Sequence, residues 1–141
     1  MRKIVLPLML FACLVFVFSG CGGSGGKGSS STGNVNIVDG KSVRFSGAYN
    51  FDENKHVSIF EAGKTYSLVS VVSYWDTDEE ITDYDKSGAV WTVTPSSAGN
   101  FNGSSSYVGA TASFTAGAAG QKGQLKIEIG TMWYFENFEV V

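Results

Sequence analysis

The chain has 141 residues, 13 acidic and ten basic side chains, and a net charge of −3. That length accommodates one domain. The acidic balance argues against nucleic acid as a partner, because its phosphates would repel the chain.

The first 20 residues read as a secretory signal peptide. Arg2 and Lys3 form a positive start, Ile4 to Phe18 form an apolar run of 15 residues, and small residues follow. The run falls short of the roughly 20 residues a spanning helix needs, and Pro7 interrupts it. The segment Phe18-Ser19-Gly20-Cys21 resembles the lipobox of bacterial lipoproteins, with Phe18 where that family usually has Leu, Val or Ile. Leu10-Phe11-Ala12-Cys13 is a competing match, but too short an apolar run precedes it. The resemblance implies cleavage before Cys21 and acylation of that cysteine, with the lipid bilayer as partner. Each buried methylene contributes about 0.8 kcal/mol, so two or three chains hold a protein on a bilayer where one does not. The bland alternative is an ordinary cleaved signal with a free thiol at Cys21.

Loss of Cys13 with the signal and use of Cys21 for lipid leave the folded part without cysteine, so a packed core must stabilise it. Only Arg2 and Lys3 among the basic residues precede Cys21. The chain from Cys21 on therefore carries eight basic against 13 acidic side chains, a net −5. Gly22 to Asn34 has no apolar residue and is expected to act as a flexible tether. Its 13 residues span about 20 Å on average by coil scaling and roughly 45 Å fully extended. Neither Gly22 nor Gly23 is acidic. In lipoproteins of two-membrane bacteria that favours the outer membrane or cell surface.

From Val35 the pattern becomes short alternating runs separated by Gly, Asn, Asp and Ser. Strands are expected within 42–45, 57–60, 65–75, 89–93, 110–114, 125–129 and 133–140. In Leu125-Lys126-Ile127-Glu128-Ile129 apolar residues take every second position, so one face is buried and the other wet. About seven or eight antiparallel strands over residues 35–141 predict an all-β sandwich or barrel. Thr77-Asp78-Glu79-Glu80 fits a capping box, but a single turn in a loop is expected there. Asn102-Gly103 signals a hairpin turn.

Between about Val57 and Ile129 the chain resembles a bacterial immunoglobulin-like domain of the adhesin and invasin type. The matching pieces are Glu61-Ala62-Gly63-Lys64-Thr65-Tyr66-Ser67-Leu68, Val90-Trp91-Thr92-Val93-Thr94-Pro95, Ala112-Ser113-Phe114-Thr115-Ala116-Gly117 and Gly123-Gln124-Leu125-Lys126-Ile127. The resemblance implies an immunoglobulin-like β-sandwich used for adhesion or protein contacts. It leaves Val35 to Phe51 as one or two added strands and the aromatic tail from Met132 as a departure. On the residues alone, Tyr66, Leu68, Ser70 and Val72 share one face and Ala89, Trp91 and Val93 another, which places Trp91 between two sheets.

Signals for catalysis are thin, and no enzyme is expected. Gly22-Gly23-Ser24-Gly25-Gly26 matches a nucleophile-elbow string inside the tether. Gly40-Lys41-Ser42 and Gly63-Lys64-Thr65 lack the earlier glycine of a phosphate loop, with Val35 and Ser58 in its place. His56 is the sole histidine. Asp76, Asp78, Glu79, Glu80, Asp83 and Asp85 crowd into ten residues. Of these, Asp76, Asp78 and Glu80 are the candidate ligands for calcium, although a solvated loop is favoured and no cofactor is expected. Trp75 and Trp133 are the candidate ligand-binding aromatics, able to stack on sugar if exposed together on one flat face. The tail around Trp133, Tyr134, Phe135 and Phe138 is expected mainly to fill the core. The leading functional reading is a non-catalytic, lipid-anchored envelope module contacting surface proteins. The alternative is a carbohydrate-binding module whose partners are glycans.

Overall fold

The computed structural model describes residues 34–141; the signal peptide, Cys21 and the tether to residue 33 lie outside the described residues. Among the described residues eleven strands form two sheets. In chain order they are β1 (Val35–Asn36), β2 (Lys41–Ser46), β3 (Asn50–Asp52), β4 (Val57–Phe60), β5 (Thr65–Tyr74), β6 (Val90–Thr94), β7 (Gly99–Asn100), β8 (Ser106–Val108), β9 (Thr111–Ala116), β10 (Lys122–Ile129) and β11 (Met132–Val140). The larger sheet runs β3-β4-β11-β10-β6-β8, with β1 also on β11; the smaller runs β2-β5-β9-β7. The protein is a β-sandwich, and all seven expected strands are present.

Four strands go beyond that expectation: β1, β3, β7 and β8, each of two or three residues. Runs that short carry no period. The pairing is antiparallel except between β4 and β11, which run parallel with Ser58 opposite Phe138 and Phe60 opposite Val140. Alternation tells which face a residue takes but not which way its neighbour runs, so the parallel pair is invisible in the pattern.

Period-two burial builds the core. On β5, Tyr66, Leu68, Ser70 and Val72 are buried while Thr65, Ser67 and Val69 face out. Trp91 on β6 is fully buried between the sheets. Its indole N–H donates to the Gly109 carbonyl at 2.8 Å, which removes the penalty of burying that donor. Phe60 lies within ring contact of Tyr49, Tyr66, Phe114 and Phe138, at centroid distances of 4.8 to 5.4 Å. The Phe138 ring in turn requires glycine on the paired strand, since a Cβ on Gly123 would fall 2.7 Å from it. Among the described residues every buried side-chain nitrogen and oxygen has a hydrogen-bond partner.

The turns follow their residues. Asn102 and Gly103 both have positive φ, and Phe101 bridges Ser104, as a two-residue hairpin turn requires. Asp39-Gly40 repeats the arrangement between Val38 and Lys41. Thr77 to Glu80 forms no helix. Asp78, at φ 60°, donates its N–H to the Tyr74 carbonyl at 2.8 Å, and the Glu79 N–H reaches Thr77 Oγ1 at 3.3 Å. The chain then returns along β5, with the Ile81 N–H on the Val72 carbonyl.

Replacing a fully buried Trp by Ala costs about 3–5 kcal/mol, a large share of the stability of a domain this size. Trp91→Ala is therefore expected to unfold the domain or nearly so in a denaturant titration. A change within about 0.5 kcal/mol, the scale of a surface substitution, would contradict the core position.

Candidate functional site

The candidate positions fall in three places. The first is where the described chain begins. The Phe135 N–H donates to the Asn34 carbonyl at 3.1 Å, and Asn34 Nδ2 donates to the Phe135 carbonyl at 3.3 Å. Val35 then packs opposite Tyr134 and is buried. The described chain thus begins at the edge of β11, level with Phe135.

The second place is the outer face of β11. The aromatic tail divides by alternation: Met132, Phe138 and Val140 enter the core and Tyr134 borders it, while Trp133 and Phe135 turn outward. The Trp133 and Phe135 rings lie nearly parallel, 17° apart in plane with centroids 6.2 Å apart. Lys126 Nζ stands 5.7 Å from the Trp133 ring centre and also pairs with Glu128. A cation over a partly exposed indole contributes on the order of 0.5–1 kcal/mol.

The third place holds Trp75, which is 48% exposed at the end of β5. It borders an open groove of about 440 Å³ with Asn34, Val35, Val43, Arg44 and Tyr134. The Arg44 guanidinium bonds both Ser73 Oγ, at 3.1 Å, and Asp78 Oδ1, at 2.8 Å. The residue of β11 on this groove is Tyr134, and Trp133 beside it points to the opposite face. The two tryptophans are therefore not one platform. Trp75 sits by the groove and Trp133 stacks on Phe135.

The acidic loop spreads its charges rather than gathering them. Asp78 pairs with Arg44 at 2.8 Å, and Glu80 reaches Lys86 at 3.9 Å. The Ser87 hydroxyl and N–H hold the Asp85 carboxyl below its usual range. Among the described residues no three His, Cys, Asp or Glu side chains are placed to hold one metal ion, so Asp76, Asp78 and Glu80 do not converge. His56 is exposed in the β3–β4 turn at φ 58°, its N–H on the Asp52 carbonyl at 2.7 Å.

One cluster was not anticipated. Glu136 falls on the inward side of β11, between Tyr134 and Phe138. Its carboxylate accepts from Ser58 Oγ at 2.5 Å, the Tyr134 hydroxyl at 2.8 Å and the Tyr49 hydroxyl at 3.3 Å. The signal was legible: strict alternation from Met132 to Val140 puts a carboxylate on the buried side. Burial first, and the Glu136 charge second, push the Tyr49 and Tyr134 phenols far above their usual value of 10.0. A phenol raised in the folded state adds stability that is fully present below its unfolded pKa and is lost as pH climbs through the folded one. Stability in denaturant should thus decline from about pH 10 upward, and the double variant Tyr49→Phe/Tyr134→Phe should flatten that decline. An unchanged slope would show that these phenols are not the groups responsible.

In comparisons with known proteins, no family model matches the chain, and neither a curated protein nor a solved structure matches it.

Proposed function

We propose that the protein is an exported, lipid-anchored envelope module that acts through surface contacts rather than catalysis. The observation that carries this reading is the junction at Asn34. A Gly- and Ser-rich stretch behind a lipobox-like cysteine runs directly into the edge of a sandwich whose buried residues extend from Val35 to Val140. The likeness to bacterial immunoglobulin-like domains, now accompanied by a two-sheet sandwich, supports adhesion or protein contacts as its work. The Glu136 carboxylate is occupied by three hydroxyl groups.

A second reading rests on Trp75. A half-exposed indole beside the Arg44–Asp78 pair offers a ring for stacking and polar groups for sugar hydroxyls. Of the two candidate indoles only Trp75 borders the groove, and this supports the groove as the place for the glycan alternative.

The anchor is tested on the mature protein. Its mass should include acyl chains on Cys21, and Cys21→Ser should leave the precursor uncut and unlabelled by lipid precursors. A mature chain without acyl groups would end the anchor reading. For the groove, Trp75→Ala should change stability by no more than about 0.5 kcal/mol, as for other exposed positions. No polysaccharide should retard the wild-type protein in an affinity gel. Retardation that Trp75→Ala abolishes would establish the glycan reading instead.

A further inference from the structure

The Trp133–Phe135 pair is an outward aromatic stack on a sheet face, and the core does not account for it. Val57 and Ile59 of β4 alternate to the same side of the sheet, since Ser58 and Phe60 are buried. The charges on this face are balanced, with Asp52 of β3 taking the same side as its partner Val57. Lys55 and Lys122 flank Glu139 at 3.2 and 3.4 Å, and Lys126 answers Glu128. Six of the 13 carboxylates lie instead between Asp76 and Asp85, on the loop that follows β5 of the other sheet. The domain is acidic as a whole, but this face is not.

The position of the chain end decides what this face meets. Asn34 is hydrogen-bonded to Phe135, so the segment from Cys21 joins the domain beside the aromatic pair. The 13 residues from Gly22 to Asn34 can reach at most roughly 45 Å in any conformation, while a domain of this size has a radius of gyration of about 13 Å. A lipid on Cys21 therefore holds this face within reach of the bilayer at an effective concentration of order millimolar, so even weak insertion becomes populated. Indole and phenyl rings favour the headgroup boundary, where an apolar body meets a polar edge, and lysines beside them suit phosphate. We propose that Trp133 and Phe135 lie in the phospholipid interface and orient the anchored domain. This rests on the reading of Cys21 as the anchor, and it commits to lipid rather than protein as the occupant of the face.

Cys21 is the sole cysteine from residue 21 onward, so the chain 21–141 can be coupled through its thiol to a maleimide lipid. Vesicles of phosphatidylcholine with brominated acyl chains then quench any tryptophan at the interface. The coupled chain should lose emission carried by one of its three tryptophans, and the uncoupled chain mixed with the same vesicles should lose far less. Quenching should persist in Trp75→Phe and vanish in Trp133→Phe, both checked for an unchanged melt. No quenching of the coupled chain, or quenching that survives Trp133→Phe, would overturn the proposal. Chemical coupling bypasses natural acylation. A failed anchor would appear in the mass of the mature protein, whereas a failed orientation appears only in the quenching.

Discussion

The sandwich depends on β11 having a partner along both edges. β10 pairs with one edge from Met132 to Glu139. The other edge is shared: β1 takes Trp133 and Tyr134 in antiparallel register, and β4 takes Phe138 to Val140 in parallel. An unpaired edge would expose a row of backbone donors and acceptors to other chains, and this division leaves β11 little of one. The handover falls at Glu136 and Asn137. There the Glu136 carboxylate bonds Tyr49, Ser58 and Tyr134, tying the segments on either side of β3 to β11. Losing one of those hydroxyls would leave a half-buried charge less satisfied, a cost of about 1–3 kcal/mol.

The two faces of β11 divide its roles. Inward, Met132, Phe138 and Val140 join a core centred on Phe60, Trp91 and Phe114. Outward, Trp133 and Phe135 stack on each other and add nothing to that core. One strand thus closes the fold on one side and presents an aromatic pair on the other, with the described chain beginning at its edge.

The sequence made the sheets legible because burial in a sandwich is a period-two property. Leu125, Ile127 and Ile129 alternate with Lys126 and Glu128 in the chain and in the burial alike. Asn102-Gly103 named its own turn, since few other residues tolerate two successive positive φ values. What stayed hidden was relational. Val35-Asn36 is too short to show a period, and the direction of β4 beside β11 leaves no trace in either segment. Whether Trp75 and Trp133 share one face was open in the sequence, because strand order, not spacing, decides which strand ends meet. In the acidic run the sequence showed the crowding of carboxylates but not that Arg44, 34 positions before Asp78, takes one of them.

Native-state amide hydrogen exchange tests the central place of β11 most directly. The amides of Phe135 and Val140, bonded to the carbonyls of Asn34 and Gln121, should exchange only through global unfolding, with the free energy of the denaturant titration. Those of the short strands β3 and β8 should exchange through local opening at lower free energy. Exchange of the β11 amides as fast as those of β3 would contradict the view that the sandwich is built around this strand.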